Sequence, residues 1–180
     1  MNEDFSKVTI DELLQRALQY HNAFKVNQAI GFYEKILQIS PENPHAIHYL
    51  GVAYHQLDQH DLALKFLEMA VSLKPYSSET SNHYGCVLLK VQNFEAAEIA
   101  FRHALKLYPS NAEALFNLGN LIISGHELQN QIETIAPARA VEATQLLRQA
   151  VALNPDQLTW QLELANALIE LDEKLEAQQI

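Results

Sequence analysis

The sequence predicts an all-α protein built as a solenoid of stacked helical hairpins. Its 180 residues include only five glycines and six prolines, and the stretches between them are rich in Ala, Leu, Glu, Gln and Lys, which favour helices. Pro41, Pro75 and Pro109 are spaced by 34 residues, and Pro155 follows after 46. Each of these prolines follows an apolar stretch that has Ala or Ile five residues earlier. A fixed period of this length is typical of helical repeat proteins.

Each repeat is expected to form two antiparallel helices. The repeats are expected to form a single domain over residues 10–180, which follows a lead-in of residues 1–9. The repeats are predicted to begin at Ile10, Pro44, Ser78, Ala112 and Leu158, giving the ranges 10–43, 44–77, 78–111, 112–157 and a partial 158–180. Within the second repeat the small and large apolar residues recur at helical spacing, at Ile47, Leu50, Gly51 and Tyr54 and again at Ala63, Leu67 and Ala70. The small residues are expected to let the axes of the two helices approach closely.

Helix starts carry their own signals. Thr9 and Glu12 are expected to form a capping box, in which each side chain caps the other's backbone N–H. Asn43 precedes Pro44 as a predicted N-cap. Ser110 and Glu113 are predicted to form a second capping box.

The repeated positions resemble the motif of the tetratricopeptide repeat family. The matching residues are Ile47, Leu50, Gly51, Tyr54, Ala63, Leu67, Ala70 and Pro75, then Tyr84, Gly85, Leu88, Ala97, Phe101, Ala104 and Pro109, and finally Leu115, Leu118, Gly119, Ile122, Ala143, Leu147, Ala150 and Pro155. This resemblance implies a right-handed α-solenoid. The departures from the motif are Arg16, Ile36 and Ser81.

The fourth repeat carries about twelve extra residues, within 126–137, between its two helices. Leu128, Ile132 and Ile135 recur there at helical intervals. Two interpretations stay open. The insertion either packs locally as an edge decoration or contacts a partner.

The net charge of the chain disfavours two classes of binding partner. The chain has 22 acidic and 12 basic residues and a formal net charge of −10, which repels nucleic acid phosphates and anionic lipid headgroups. We therefore expect no nucleic acid and no membrane as a partner. The sequence shows no export signal or membrane span, and its single Cys86 fits a reducing compartment. A cytoplasmic location is expected.

The family resemblance implies that the first helix of each repeat lines a concave groove. The groove residues that we expect to bind a peptide or protein are His48, Tyr49, His55, Asn82, His83, Phe116, Asn117, Asn120 and Asn166. Amide side chains both donate and accept hydrogen bonds, which suits the backbone of an extended peptide. The alternative is that these side chains are only solvated in an open groove.

No catalytic, cofactor or metal site is expected from the sequence, so the chain is not predicted to be an enzyme. His45 and His48 are three residues apart and could bind one ion together. The rings of His48 and His55 are about 10 Å apart on a straight helix, which is too far to share one ion. The chain has no HExxH motif, no phosphate-binding glycine loop and no GxSxG motif. Cys86 lies within a predicted helix, between Gly85 and Val87. The carboxylates that are predicted to lie on a solvated outer face of helices and turns are Glu34, Asp58, Asp61, Glu68, Glu95 and Glu98.

Two functions remain open. The first is a protein interaction scaffold. The second is a substrate-recruiting arm of a larger transferase, because ALQYHNAFKVNQAIGFYEKIL followed by SPENPHAIHYLGVAYHQL looks like bacterial solenoids that precede glycosyltransferase or sulfotransferase domains. A clamp for chaperone tails is not favoured, since Lys90 is the only basic groove position. The asparagine ladder of O-linked glucosaminyl transferases is matched only at Asn117.

The fifth repeat is cut short at Ile180, in what should be its second helix. A solenoid end normally has a polar cap, so we expect the chain to be part of a longer protein or to be covered by another chain. Self-association through this partial repeat is expected from its apolar residues, which are Trp160, Leu164, Leu168 and Leu171.

Overall fold

A computed structural model of the chain describes residues 8–75, 77–128 and 137–177. These residues form α1 Ile10–Asn22, α2 Val26–Ile39, α3 Pro44–Gln56, α4 His60–Leu73, α5 Ser78–Lys90, α6 Phe94–Leu107, α7 Ala112–Leu128, α8 Pro137–Leu153 and α9 Leu158–Ala177. No strand occurs in these ranges, so the all-α prediction is confirmed. The predicted repeats begin at the first residues of α1, α3, α5, α7 and α9. None of the helices described is long and apolar enough to cross a membrane.

The helices fall into two compact units, residues 1–91 with α1 to α5 and residues 92–180 with α6 to α9. In the first unit, Leu13, Tyr33 and Leu50 belong to one core cluster. A second cluster there joins Leu67 of α4 to Val87 of α5. The core of the second unit includes the buried Phe101, Ala104, Leu118, Ile122 and Leu147. The single domain over 10–180 stays a prediction.

The first helices begin at side-chain caps that follow the 34-residue period. Asn43 Oδ1 accepts a hydrogen bond from the backbone N–H of Ala46 at 3.0 Å, and Ser77 Oγ accepts one from Thr80 N–H at 3.2 Å. Such caps satisfy N–H groups that the helix leaves unpaired. The caps at Asn43 and at the Thr9–Glu12 capping box were both predicted and are confirmed.

The capping box predicted at Ser110 and Glu113 is wrong. Asn111 Oδ1 accepts from Ala114 N–H at 3.0 Å, and α7 begins at Ala112. Asn111 is therefore the N-cap, 34 residues after Ser77. The N-cap lies directly before the first helical residue, and Asn111 occupies that position. Ser110 lies one residue too early to cap the helix.

The turn between the two helices of a repeat is also reproduced with the same period. Phe24, Asp58 and Gln92 have φ values of 57°, 56° and 61°, which lie in the left-handed region that non-glycine residues rarely adopt. They are 34 residues apart. The exposed Phe24 and its counterparts thus keep a common turn geometry in place of the glycine that often ends a helix.

Within a hairpin, the helices approach closely at a glycine. A Cβ added to Gly51 in α3 would lie 2.5 Å from Cγ of Leu67 in α4, and one added to Gly119 in α7 would lie 2.8 Å from Cγ of Leu147 in α8. Both distances are shorter than a van der Waals contact. The expected role of small residues at this position is therefore seen directly in two hairpins.

The insertion lengthens both helices around it. α7 and α8 each have 17 residues, whereas the helices of the first unit have 13 or 14. Ile132 and Ile135, two of the apolar residues on which the prediction depended, lie outside the described residues. Edge decoration and partner contact both stay open as interpretations.

An ion-pair network joins α6 to α8 in the second unit. The Glu98 carboxylate accepts hydrogen bonds from Arg102 Nε at 2.9 Å and from Arg139 Nη2 at 2.8 Å, and Arg102 Nη1 also donates to Glu142 at 2.7 Å. The sequence predicts that Glu98 lies on a solvated outer face. That interpretation is wrong, since the Glu98 side chain is only 23% exposed and is held by two guanidinium groups.

Gly51→Ala is expected to destabilise the protein by about 1–3 kcal/mol, because the added methyl group overlaps Leu67. Gly31→Ala is the matched control. Gly31 lies within α2 and an added Cβ there meets nothing within 4 Å, so this variant should gain about 0.5–1 kcal/mol from helix propensity. Urea unfolding measures both. If Gly51→Ala and Gly31→Ala changed the free energy of unfolding by the same amount in the same direction, the close approach of α3 and α4 at Gly51 would be contradicted.

The second prediction concerns acid sensitivity. Burial raises the pKa of Glu98, but hydrogen bonds from Arg139 and Arg102 outweigh it and lower the pKa below its ordinary value. A lowered folded-state pKa stabilises above the unfolded pKa, and this stability is lost as the pH falls through the folded pKa. Glu98→Gln should therefore lower the melting temperature near neutral pH and converge with wild type in acid.

Glu95→Gln provides the control, because Glu95 lies exposed on the same helix. Melting curves of the three proteins between about pH 7 and pH 3 make the comparison. A Glu98→Gln deficit that persists unchanged at the acid end would show that the charge of the network is not what stabilises the unit.

Candidate functional site

The first helices α1, α3 and α5 and the second helix α2 bring a set of aromatic rings together in the first unit. We call His21, Tyr33, His48, Tyr49 and His83 the aromatic cluster. The ring centroids of His48 and Tyr49 in α3 are 4.8 Å apart, and those of His48 and His83 are 5.1 Å apart. Since His83 lies in α5, the contact joins the second repeat to the third.

Tyr49 lies at the centre of the cluster. Its ring stacks on Tyr33 of α2 at 5.8 Å and meets the edge of His21 at 6.2 Å. His21 Nδ1 and Tyr33 Oη are hydrogen-bonded at 3.2 Å. Burial raises the pKa of Tyr49 and lowers the pKa of His21. Tyr49 is half-buried, so it contributes to packing and keeps part of its surface accessible.

His48 is fixed by residues of the next repeat. Its Nδ1 lies 3.0 Å from Thr80 Oγ1, and its Nε2 lies 3.7 Å from Glu79 Oε1. The second distance is too long for a hydrogen bond, and His48 Nε2 is buried without a hydrogen-bond partner. His48 lowers the pKa of the Glu79 carboxyl, with smaller contributions from His83 and His45.

His83 is held neutral by its surroundings. Burial is the main cause that lowers the pKa of His83 to about 4, and the nearby His48 adds to it. Its Nδ1 is buried without a hydrogen-bond partner. At neutral pH this imidazole can therefore accept a hydrogen bond or bind a cation through a lone pair.

His55 lies two turns beyond His48 on α3 and is half-buried. Its ring is 5.6 Å from that of His60 in α4. Burial lowers the pKa of His55, and His60 and Lys90 lower it further. His55 is thus a second uncharged imidazole near the same helix face.

Not every predicted groove residue is accessible. Asn82 and His48 are only 1% and 5% exposed, so they offer little surface to a ligand, and their expected contact with a ligand stays a prediction. On α5 the accessible position is occupied by His83, while Asn82 points into the interior. Ser81, which replaces a large residue of the family motif, is also buried. Its hydroxyl donates to the Ser77 carbonyl oxygen at 3.0 Å, which gives the departure a structural role.

In the second unit, Phe116 of α7 stacks on Trp160 of α9, with ring centroids 4.7 Å apart. Asn117 and Asn120 are half-buried on α7, and Asn166 is exposed on α9. Trp160 had been expected to be available at an unpaired end. It is instead partly covered by Phe116, so these two first helices share an aromatic contact.

Sequence reasoning missed Glu79 and Thr80 as neighbours of His48. The separation of four residues between Glu79 and His83 was a usable signal, because such residues share one helix face. Their approach to His48 depends on packing between helices, for which the local sequence has no signal.

Two family models match the sequence. Residues 22–104 match a model described as anaphase-promoting complex, cyclosome, subunit 3, and residues 85–136 match a tetratricopeptide repeat model. Tetratricopeptide repeat protein 7B of Homo sapiens is 33% identical over 93 residues, which are 52% of this chain and 11% of the human protein. The chain therefore spans about a tenth of the length of that relative.

Solved structures share the fold. Pseudomonas aeruginosa pilF has a TM-score of 0.75 and 24% identity, with 94% of this chain and 72% of that chain covered. An O-GlcNAc transferase of Thermobaculum terrenum has a TM-score of 0.69 and 26% identity, covering 83% of this chain and 27% of that one. The first tetratricopeptide domain of Spaghetti, bound to an HSP90 peptide, has a TM-score of 0.62 and 24% identity over 67% of this chain and 94% of that chain.

Proposed function

Because the chain belongs to the tetratricopeptide repeat family, we propose that it is an interaction scaffold that binds an extended polypeptide along its first helices. The aromatic cluster carries the proposal. Its members come from consecutive repeats, and Tyr49 and His83 keep part of their surfaces accessible. Rigid aromatic rings beside polar groups are typical anchors of a peptide interface.

The chemistry of the face suits an uncharged backbone. His55 and His83 have lowered pKa values and are neutral at physiological pH, so neither places a charge on this face. Asn117 and Asn120 on α7 each offer both a hydrogen-bond donor and an acceptor. A peptide main chain needs both, because each residue has one N–H and one carbonyl group.

A relative of the same fold supports this mode of binding. The Spaghetti domain was solved with a bound peptide, and 94% of its length aligns with 67% of this chain. At 24% identity the likeness concerns the fold, so the binding residues of this chain rest on its own geometry. The proposed residues are His48, Tyr49, His55 and His83 in the first unit and Phe116, Asn117, Asn120 and Asn166 in the second.

A second candidate function is a substrate-recruiting arm of a larger transferase. The observation that favours it is the match to the O-GlcNAc transferase, of which this chain covers 27%. The reading frame beyond codon 180 separates the two candidates, since a transferase domain there would make this chain the recruiting arm. The cytoplasmic location expected from the sequence stays a prediction.

Asn120→Ala is expected to weaken the binding of a peptide selected from a display library by about 1–3 kcal/mol, the effect of losing a hydrogen bond in an interface. Fluorescence anisotropy with the labelled peptide measures the change. Asn27→Ala is the matched control, because Asn27 is exposed on α2, a second helix. It should bind as wild type does.

Melting curves of Asn120→Ala and Asn27→Ala check that both variants are folded as stably as wild type. If Asn120→Ala and His83→Ala bind as tightly as wild type while Lys65→Ala on the exposed side of α4 loses binding, the face of the first helices is not the working surface. Lys65 is exposed, so its removal leaves the core intact.

Self-association through α9 is proposed from its exposed apolar residues. Leu158, Leu162 and Ile169 are 75%, 61% and 58% exposed, and such a surface favours contact with another chain. Sedimentation at high micromolar concentration should show a dimer or larger species, and Leu162→Glu should return it to monomer. A strictly monomeric wild type would contradict the proposal.

A further inference from the structure

Three side chains with metal-binding groups converge in the first unit from two different helices. His48 lies on α3, and Glu79 and His83 lie one turn apart on α5. One ligand atom from each residue lies within 4.8 Å of the other two. We propose that His48, Glu79 and His83 bind a divalent transition-metal ion of the zinc class. This site goes beyond the proposed function and does not depend on a peptide partner.

The hydrogen bonds around His48 place its lone pair toward the site. Thr80 Oγ1 donates its hydrogen to Ser77 Oγ at 2.8 Å, so the Thr80 oxygen is an acceptor for His48 Nδ1 at 3.0 Å. The ring proton of neutral His48 therefore lies on Nδ1. The lone pair then lies on Nε2, the atom 3.7 Å from the Glu79 carboxylate.

This arrangement is the one that metal-binding histidines use. A ligating imidazole commonly donates its other N–H to an oxygen acceptor, which fixes the tautomer and the orientation of the ring. Thr80 supplies that acceptor, and Ser77 in turn orients Thr80. Because Ser77 is also the N-cap of α5, the helix that carries Glu79 and His83 is anchored by the same residues that orient His48.

Two imidazole nitrogens of the cluster lack other partners. His48 Nε2 and His83 Nδ1 are buried without a hydrogen bond. Leaving a buried polar atom unpaired is unfavourable, and an ion would satisfy the lone pairs. The His48 side chain is 7% exposed and that of Glu79 is 60% exposed, so the carboxylate supplies an accessible side for an ion to enter.

The donor set selects the class of ion. Two imidazoles and one carboxylate form a set that zinc sites use, with a fourth position left for water. Calcium and magnesium prefer oxygen ligands, so nitrogen donors disfavour them. At bond lengths of about 2.0–2.1 Å, tetrahedral ligand atoms are about 3.3 Å apart. Atoms that lie within 4.8 Å of each other each need to move by only about 1 Å.

Titration of the chelator-treated, tag-free protein with zinc chloride tests the site, with cobalt absorption spectra as a second readout of tetrahedral geometry. Wild type should bind one equivalent. Glu79→Gln and His83→Gln should each weaken zinc affinity by at least about ten-fold, and Thr80→Val by about 10–100-fold through loss of the Nδ1–H acceptor.

His45→Gln is the matched control. His45 is exposed and lies one turn before His48 on α3, so it tests whether any histidine on this helix is enough. It should bind zinc as wild type does. Glu79→Gln is the decisive variant, because the exposed Glu79 can be changed without opening the core, and its melting curve without metal checks that the fold is intact.

The proposal is overturned if wild type takes up no stoichiometric zinc or cobalt, if Glu79→Gln and His83→Gln bind as wild type does, or if His45→Gln loses as much affinity as they do. The titration contains no peptide. A negative result therefore removes the metal site and leaves the peptide-binding proposal to its own experiment.

Discussion

The close approach of the two helices in a hairpin is the constraint on which the first unit depends. Leu67 of α4 packs over the missing side chain of Gly51 in α3 and shares a cluster with Val87 of α5. One leucine thus fixes the positions of both first helices relative to α4. Because a packed interior does not deform continuously, this contact also sets the distance between His48 on α3 and the Glu79–His83 pair on α5.

The parts of the fold that could be predicted from the sequence are those encoded locally. The 34-residue period located the starts of the first helices, because a proline, an N-cap and a pattern of small residues recur together in each repeat. Asn43 and the Thr9–Glu12 box show how a cap can be read from adjacent residues. The error at Ser110 has the same origin, since two capping residues in succession, Ser110 and Asn111, leave the local signal ambiguous by one position.

The candidate site could be predicted only in part, because it depends on contacts between helices. The family resemblance predicted α3 and α5 as helices of a binding groove, but helical spacing does not determine which neighbouring side chain faces the interior. Asn82 was therefore assigned to the groove although it is buried. Glu98 was assigned to solvent, because its partner Arg139 lies 41 residues away, beyond the insertion. The approach of Glu79 to His48 could not be predicted for the same reason, because it depends on a contact between two helices.

Unpaired polar atoms on the proposed binding face reduce the stability of the first unit. His48 Nε2, His55 Nδ1 and His83 Nδ1 are buried without partners, and each such atom costs about 1–3 kcal/mol. In a repeat protein the stability is approximately a sum over repeats and their interfaces, so the hairpin contacts can offset this cost without involving the face itself. Places where a sequence departs from good local packing are those where function is expected, and in the first unit these nitrogens lie on consecutive first helices.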